Sequence, residues 1–373
     1  MLNRIRSVFT HIKKQQVESI PANRSAIGKQ FERCVLHIGT EKTGTSTIQR
    51  FMTMNREAFA REGVMYPSVT GKDGGSQWGF VACAQVKSWD SDVGRVLDIK
   101  SEQEQELYKE TFRHQLRQEF DAAPQAKVLV ISSEHLHSRL VNQEMISRLK
   151  EFLDPWVDRF EVVLYLRRQD RVAVSHYSTK IKSGNDRPVA FPGSPKDGLP
   201  YYFDYERIYE NWCTVFGKES MRVRLFALRE FAQGDLLRDF CTIVGLCHEG
   251  KKIAGVENEA LNKAGADFML ELNRQWPSVI ADECDEERMG LVQIVARLCR
   301  GKNYPVNRDE AAAFYRQFVE GNERLKMKIF PARSEPLFDD DFADYPEKIE
   351  QQAPRYEDAV ALAIRIWKDN NVQ

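Results

Sequence analysis

The chain has 373 residues, of which 42% are hydrophobic and 29% carry a charged side chain. Such a composition is typical of a soluble globular protein that can bury a full core, in one large α/β domain or in two ordinary ones. The chain holds 54 lysines and arginines against 55 acidic residues, so its net charge is −1. A near-neutral chain does not favour nucleic acid or an anionic membrane as its main partner, so any anion site must be local.

Cysteine usage predicts a cytoplasmic protein with reduced thiols. The seven cysteines are scattered and form no C-x-x-C pair, which argues against a zinc site and a disulfide framework: Cys34, Cys83, Cys213, Cys241, Cys247, Cys284 and Cys299. No apolar run approaches the roughly 18–20 residues that a membrane span needs. We therefore expect neither a bound metal nor a transmembrane segment.

Residues 1–30 are interpreted as an N-terminal extension that leads into the fold. Residues 1–14 have an alternative interpretation as a weak membrane-surface helix. Leu2, Ile5, Phe9 and Ile12 fall near one helical face there, and basic side chains lie on or beside the other.

The rest of the chain alternates short apolar runs with helical patterns. Four runs predict buried strands, at 34–39, 127–133, 160–166 and 221–227. Helices are predicted from about Thr45, and near 101–120, 169–183, 203–217 and 229–246. Near-continuous apolar strands that alternate with helices predict an α/β fold, with a parallel central sheet covered by helices on both faces.

Two further segments complete the predicted organisation. Residues 184–202 are rich in glycine and proline and are predicted to form a functional lid. Residues 31–256 are expected to form the α/β domain. From 257 to 373 the pattern is helical, which predicts a C-terminal region packed on that same domain.

A candidate phosphate loop lies between the first strand and the first helix. Gly39 and Gly44 allow a close backbone approach, Lys42 supplies a positive charge, and Thr45, Ser46 and Thr47 supply hydroxyls. A tight turn that enters a helix directs unpaired N–H groups and the positive end of the helix dipole at one point. The segment therefore predicts an anion site. An ordinary turn with a hydroxyl cap is the alternative.

The loop departs from that of the nucleotide triphosphatases. Its glycines have the G-x-x-x-x-G spacing, but Thr45 stands where the lysine belongs and the lysine is at Lys42. Neither following strand ends in an aspartate that would help hold Mg²⁺. A kinase that uses ATP and Mg²⁺ stays open as an alternative, as does a catalytically silent nucleotide-binding protein.

With these residues in view, the chain resembles the sulfotransferases that use 3′-phosphoadenosine 5′-phosphosulfate (PAPS), and within them a bacterial group with a P-loop-type fold. The segment from Lys42 through Thr43 and Gly44 to Ser46 resembles the family's 5′-phosphosulfate loop. The family's 3′-phosphate motif has an arginine at a strand end and a serine eight residues later, a spacing that Arg167 and Ser175 share. The resemblance covers roughly residues 33 to 275.

The resemblance implies PAPS as co-substrate, no metal, and transfer of a sulfuryl group to an acceptor hydroxyl or amine. Lys42 would stabilise the leaving phosphate, N–H groups of residues 43–47 (Thr43 to Thr47) would hold the 5′-phosphate, and Arg167 and Ser175 the 3′-phosphate. Aromatic residues near the predicted loops favour a carbohydrate or glycolipid acceptor. The oligomeric state does not follow from the sequence.

The catalytic base differs from the family pattern. Cytosolic members end the second strand in Lys-Thr-His, whereas this chain has Glu134 in the histidine's place, followed by His135. Glu134 is the predicted base, His135 the substitute and His137 a third choice; a helix-capping role for Glu134 is the alternative. Gln77 and Trp78 stand where many bacterial members carry a histidine pair, and Gln169 replaces the usual proline.

Overall fold

Five parallel strands form the centre of the molecule: β1 (Arg33–Gly39), β2 (Val64–Met65), β3 (Val128–Ser132), β4 (Phe160–Leu166) and β5 (Met221–Leu225). They lie side by side in the order β2-β3-β1-β4-β5. The structure is a computed structural model, and it describes residues 29–69, 76–193, 199–253, 260–277, 279–280, 283–301, 305–349 and 356–370.

Helices connect these strands and, together with a small hairpin, supply the regular structure of the described residues after β5. They are α1 (Thr45–Met54), α2 (Arg56–Arg61), α3 (Trp78–Ala84), α4 (Asp92–Leu97), α5 (Glu102–Asp121), α6 (Glu134–Arg139), α7 (Gln143–Leu153), α8 (Gln169–Lys182), α9 (Tyr205–Phe216), α10 (Leu236–Val244), α11 (Lys263–Gln275), α12 (Glu286–Leu298), α13 (Arg308–Arg316), α14 (Val319–Ile329) and α15 (Tyr356–Asn370). The hairpin pairs β6 (Val279–Ile280) with β7 (Glu283–Cys284) in antiparallel fashion.

Both faces of the sheet are buried. Along β4, Val162 and Leu164 join one apolar cluster, while the alternate residues Val163 and Tyr165 join another on the opposite face. Helices pack on each side, since successive side chains of a strand point to opposite faces. The predicted α/β fold, with a parallel sheet between two helical layers, is confirmed.

Two local predictions differ from the structure. Strand β2 has only two residues, which is too short to produce a periodic pattern. The helix predicted from 229 begins at Leu236, because Gln233 and Gly234 adopt positive φ angles of 55° and 71° and interrupt it. Asp235 then caps α10 by accepting from the N–H of Arg238 at 2.8 Å.

The region after residue 260 packs against α8 and α9. Arg168, at the start of α8, is buried and donates to Asp170 and to the backbone carbonyls of Asp339 and Asp341. The boundary predicted near residue 257 falls in the range 254–259, which lies outside the described residues, and the domain division stays a prediction.

Some sequence-based interpretations concern other parts of the chain that the structure does not describe. The amphipathic segment 1–14 is one of them, and residues 194–198 of the predicted lid are another. Among the helices in the described ranges, none combines the length and the apolar character needed to cross a bilayer.

Candidate functional site

The loop between β1 and α1 presents unused backbone donors. Helix α1 begins at Thr45 after Gly44, no side chain caps it, and its first turn holds no acidic residue. Within the described ranges, no acceptor takes the N–H groups of residues 43–47. The hydroxyl of Thr43 is itself used, since it donates to the carbonyl of Thr40 at 2.6 Å. The alternative interpretation, a turn capped by a hydroxyl, is therefore wrong. The N–H groups at the start of α1 are available to an anion.

Gly44 is needed at its position for two reasons. Its φ of 74° lies in the left-handed region, which residues with a β-carbon adopt only with strain. A β-carbon there would lie 2.4 Å from Cδ2 of Leu236 and 3.3 Å from the ring of Phe226. The turn can therefore approach these side chains closely only with a glycine.

Lys42 lies beside the last turns of α8. Its Nζ donates to Oγ1 of Thr179 at 2.6 Å, and its backbone has a φ of 66°. Burial lowers the pKa of Lys42, although the charges of Glu41 and Glu134 oppose that shift. The ammonium thus lies in a half-buried place between the loop and α8.

Arg167 contacts the same loop from the end of the neighbouring strand. Strands β1 and β4 are adjacent in the sheet, and Nη1 of Arg167 donates to the backbone carbonyl of Lys42 at 3.0 Å. The hydroxyl of Tyr205 donates to the carbonyl of Arg167 at 2.6 Å and fixes its backbone. Burial lowers the pKa of the Arg167 guanidinium. The loop after β1 and the arginine at the end of β4, both identified in the sequence, therefore meet at the carboxyl ends of these two strands.

Ser175 belongs to a polar stripe along α8 that the sequence analysis did not identify. Arg171, Ser175, Thr179 and Lys182 are spaced by four, four and three residues, so they share one helical face. Thr179 accepts from Lys42, which shows that this face borders the loop. The spacing was visible in the sequence, but only the fold shows which face of α8 the loop contacts.

Glu134 and His135 open α6 directly after β3. Oε2 of Glu134 accepts from the side-chain amide of Gln49 at 2.6 Å, and Oε1 lies 4.0 Å from Nε2 of His135. The His135 ring packs on Trp78, with ring centroids 3.8 Å apart. Burial lowers the pKa of His135, against the raising effect of Glu134. The lowered pKa leaves His135 neutral and able to accept a proton at neutral pH.

Glu41 forms a second polar cluster that the sequence analysis missed. Its carboxylate accepts from Nη1 of Arg139 at 2.7 Å and from the hydroxyl of Tyr202 at 3.1 Å. His176 stacks on Tyr202 and lies 3.8 Å from the same carboxylate. Burial alone would raise the pKa of Glu41, but Arg139 and the other donors outweigh it and lower the pKa to about 2.

The fold and these contacts define a parallel α/β protein with a candidate anion site in the loop that follows its central strand β1. No family model matches the chain. An uncharacterized protein of Archaeoglobus fulgidus is 24% identical over 232 residues. That match covers 61% of this chain, which spans 60% of the length of that relative.

The chain is also similar in fold to a solved structure, the crystal structure of a sulfotransferase from Alicyclobacillus acidocaldarius. The TM-score is 0.42 at 15% identity, and the match covers 80% of this chain and 95% of that one. A likeness of this size does not assign a function. The functional conclusion therefore depends on the residues of the site.

Proposed function

We propose that this protein is a sulfotransferase that moves a sulfuryl group from PAPS to an acceptor hydroxyl or amine. The observation that supports it most is the 3.0 Å hydrogen bond from Arg167 to the carbonyl of Lys42. It brings a guanidinium next to a loop with free N–H groups and a lysine. A ligand with two separate phosphates, one for each segment, suits such a pair.

The residues present fit the co-substrate. The N–H groups of residues 43–47 suit a 5′-phosphate, and Arg167 with Ser175 suits a 3′-phosphate. A guanidinium is the stronger of these contacts because it offers parallel, charge-assisted donors to phosphate oxygens. A 3′-phosphate also distinguishes this nucleotide from ATP, so the arginine would supply selectivity as well as affinity.

When bound, the co-substrate supplies an activated sulfuryl group: a bond from the acceptor oxygen to sulfur forms as the bond from sulfur to the bridging phosphate oxygen breaks. Lys42 then neutralises charge on the released phosphate. The acceptor proton passes to Glu134 or to His135. Orientation of the reactants and fixed charges would provide most of the rate.

The proposed acceptor is a carbohydrate or glycolipid. Trp78 and Tyr202 border the region beside Lys42: the first packs on His135, and the second is held by Glu41. Flat aromatic faces suit the apolar faces of sugar rings. The proposed compartment remains the cytoplasm.

Calorimetry with adenosine 3′,5′-bisphosphate and with ADP, each with and without Mg²⁺, tests the proposal. We expect the bisphosphate to bind more tightly, independently of Mg²⁺, and the Arg167→Ala variant to lose that preference. A preference for ADP that requires Mg²⁺ would contradict the proposal and favour a kinase. Binding of the bisphosphate without transfer to any of a broad acceptor panel would favour a catalytically silent protein.

A further inference from the structure

Helix α15 (Tyr356–Asn370) carries a line of exposed apolar side chains, called the α15 stripe below. Tyr356, Val360, Ile364 and Trp367 are spaced by four, four and three residues, so they share one helical face. Their exposed fractions are 79%, 39%, 50% and 71%. Large apolar side chains are often exposed singly, but four in line along one helix indicate an interaction surface.

The opposite face of α15 attaches the helix to the rest of the protein. Leu362 is buried in an apolar cluster that includes residues of α11 and α12. Arg365 donates to the carbonyl of Leu298, and Asp369 pairs with Arg297 of α12. These contacts decide which face of α15 is turned inward, and the α15 stripe is therefore presented outward.

Two charged side chains flank the α15 stripe on the same side. At 3.6 residues per turn, Glu357 and Lys368 lie about 60° and 80° around the helix axis from Val360, in the same direction. The other flank carries Ala359 and Ala363 and no charged residue of the helix. Neither Glu357 nor Lys368 forms an ion pair with any residue that the structure describes. One flank thus offers a charge of each sign, near opposite ends of the helix, to a partner.

An antiparallel second copy of α15 suits this charge pattern. A two-fold axis perpendicular to both helices brings the same flank of each copy together and exchanges their ends. Glu357 of one protomer then faces Lys368 of its partner, and the symmetry forms that pair twice. A parallel pair would instead set each charged flank against the uncharged flank that carries Ala359 and Ala363.

The apolar side chains fit the same two-fold axis. Three pairs have midpoints within one residue of Leu362, so all of them can meet in one register: Glu357 with Lys368, Tyr356 with Trp367, and Val360 with Ile364. The amphipathic segment 1–14 is a poorer match for the α15 stripe. Its charged residues are all basic, whereas the stripe is flanked by one acidic and one basic side chain.

From this complementarity we infer that the protein forms a symmetric dimer through antiparallel pairing of α15. The inference goes beyond the proposed function and does not depend on it. A single pair of helices is a small interface, so the dimer should dissociate in the range of about 1–100 μM.

Sedimentation equilibrium of the full chain tests the inference, with 43.2 kDa as the mass of the monomer. Glu357→Lys and Lys368→Glu should each weaken the dimer at least about tenfold, because each sets like charges opposite one another twice. A variant with both reversals should dimerise again, since the exchange restores both pairs of opposite charge. Combined Val360→Gln and Ile364→Gln should weaken the dimer as well. Met327→Gln, at an exposed side chain of α14, is the control and should dimerise like wild type.

Thermal unfolding verifies that each variant is folded, and three results would overturn the inference. One is a wild type that stays monomeric up to about 100 μM, whether segment 1–14 or another protein covers the α15 stripe. Another is a dimer that none of the α15 variants weakens, because it then uses a different surface. The third is a double reversal that remains as weak as the single reversals, because α15 then faces some other part of the partner.

Discussion

The hydroxyl of Tyr202 donates to Oε2 of Glu41 at 3.1 Å, which joins the end of the 184–202 segment to the residue before Lys42. The carboxylate of Glu41 also accepts from Arg139 of α6, the helix that begins with Glu134 and His135. One half-buried carboxylate therefore connects three parts of the candidate site.

The low pKa of Glu41 predicts an acid-dependent loss of stability. Its folded value of about 2 lies below its ordinary value of 4.5, so its contribution is present above pH 4.5 and disappears as the pH falls through 2. For a shift of this size the contribution is about 3 kcal/mol. Glu41→Gln should unfold more easily in urea at pH 7, and the difference from wild type should shrink towards pH 2. A constant difference across that range would contradict the assignment.

The matched variants Gly44→Ala and Gly250→Ala separate backbone strain from close approach. Both glycines have a similar φ, 74° and 72°, but a β-carbon at Gly250 meets nothing within 4 Å. Each substitution should lower the free energy of unfolding by about 1–2 kcal/mol because of the left-handed backbone. Gly44→Ala should lower it further, because its β-carbon would lie 2.4 Å from Cδ2 of Leu236. Only Gly44→Ala should also weaken binding of adenosine 3′,5′-bisphosphate, measured by calorimetry. If both variants bind the bisphosphate equally well, the nucleotide does not contact the turn at Gly44.

Lys42→Ala should abolish transfer while leaving the fold intact. Among the described residues its ammonium donates one hydrogen bond, to Thr179, and a half-buried lysine in a loop contributes little packing. Loss of a positive charge aimed at a leaving group typically costs about 100-fold or more in turnover. Sulfate transfer and thermal unfolding are the measurements, with Lys180→Ala as the control. Near-normal turnover in Lys42→Ala would remove this lysine from the mechanism.

The sequence predicted the sheet and the loop between β1 and α1 because both depend on local patterns. Apolar runs define β1, β3, β4 and β5, and a glycine-bounded turn before an amphipathic helix defines the loop. The cluster around Glu41 was not predictable in this way. Its partners Arg139 and Tyr202 lie 98 and 161 residues further along the chain, and no spacing rule connects them. Lys182 had a visible helical spacing, but the face of α8 that meets the loop is decided by packing.

Glu134→Gln should lower turnover much more than it lowers affinity for the nucleotide. The amide oxygen of the new glutamine can still accept the hydrogen bond from Gln49. The amide cannot, however, take up the proton that the sulfated substrate releases. Single-turnover transfer and bisphosphate calorimetry give the two quantities. His135→Asn is the parallel variant, since Oε1 of Glu134 lies only 4.0 Å from the His135 ring. If one of the two variants retains normal turnover, the residue substituted in that variant is not the base.

The adjacent arginines Arg167 and Arg168 should respond to alanine substitution in opposite ways. Arg168 is 3% exposed and makes paired bonds of 2.8 and 3.0 Å to Asp170, itself fully buried. Its removal breaks the ion pair of the buried Asp170, so Arg168→Ala should lose about 3–5 kcal/mol of stability in urea unfolding.

Arg167→Ala loses one hydrogen bond to the carbonyl of Lys42, which is about 1 kcal/mol, and should remain folded. Its preference for adenosine 3′,5′-bisphosphate over ADP should nevertheless disappear, because the guanidinium proposed to contact the 3′-phosphate is gone. Calorimetry with the two nucleotides measures that preference, and urea unfolding compares both variants. A folded Arg167→Ala that still prefers the bisphosphate would mean that the 3′-phosphate is bound by other residues, and the pairing of the two segments would then have no role in recognising the nucleotide.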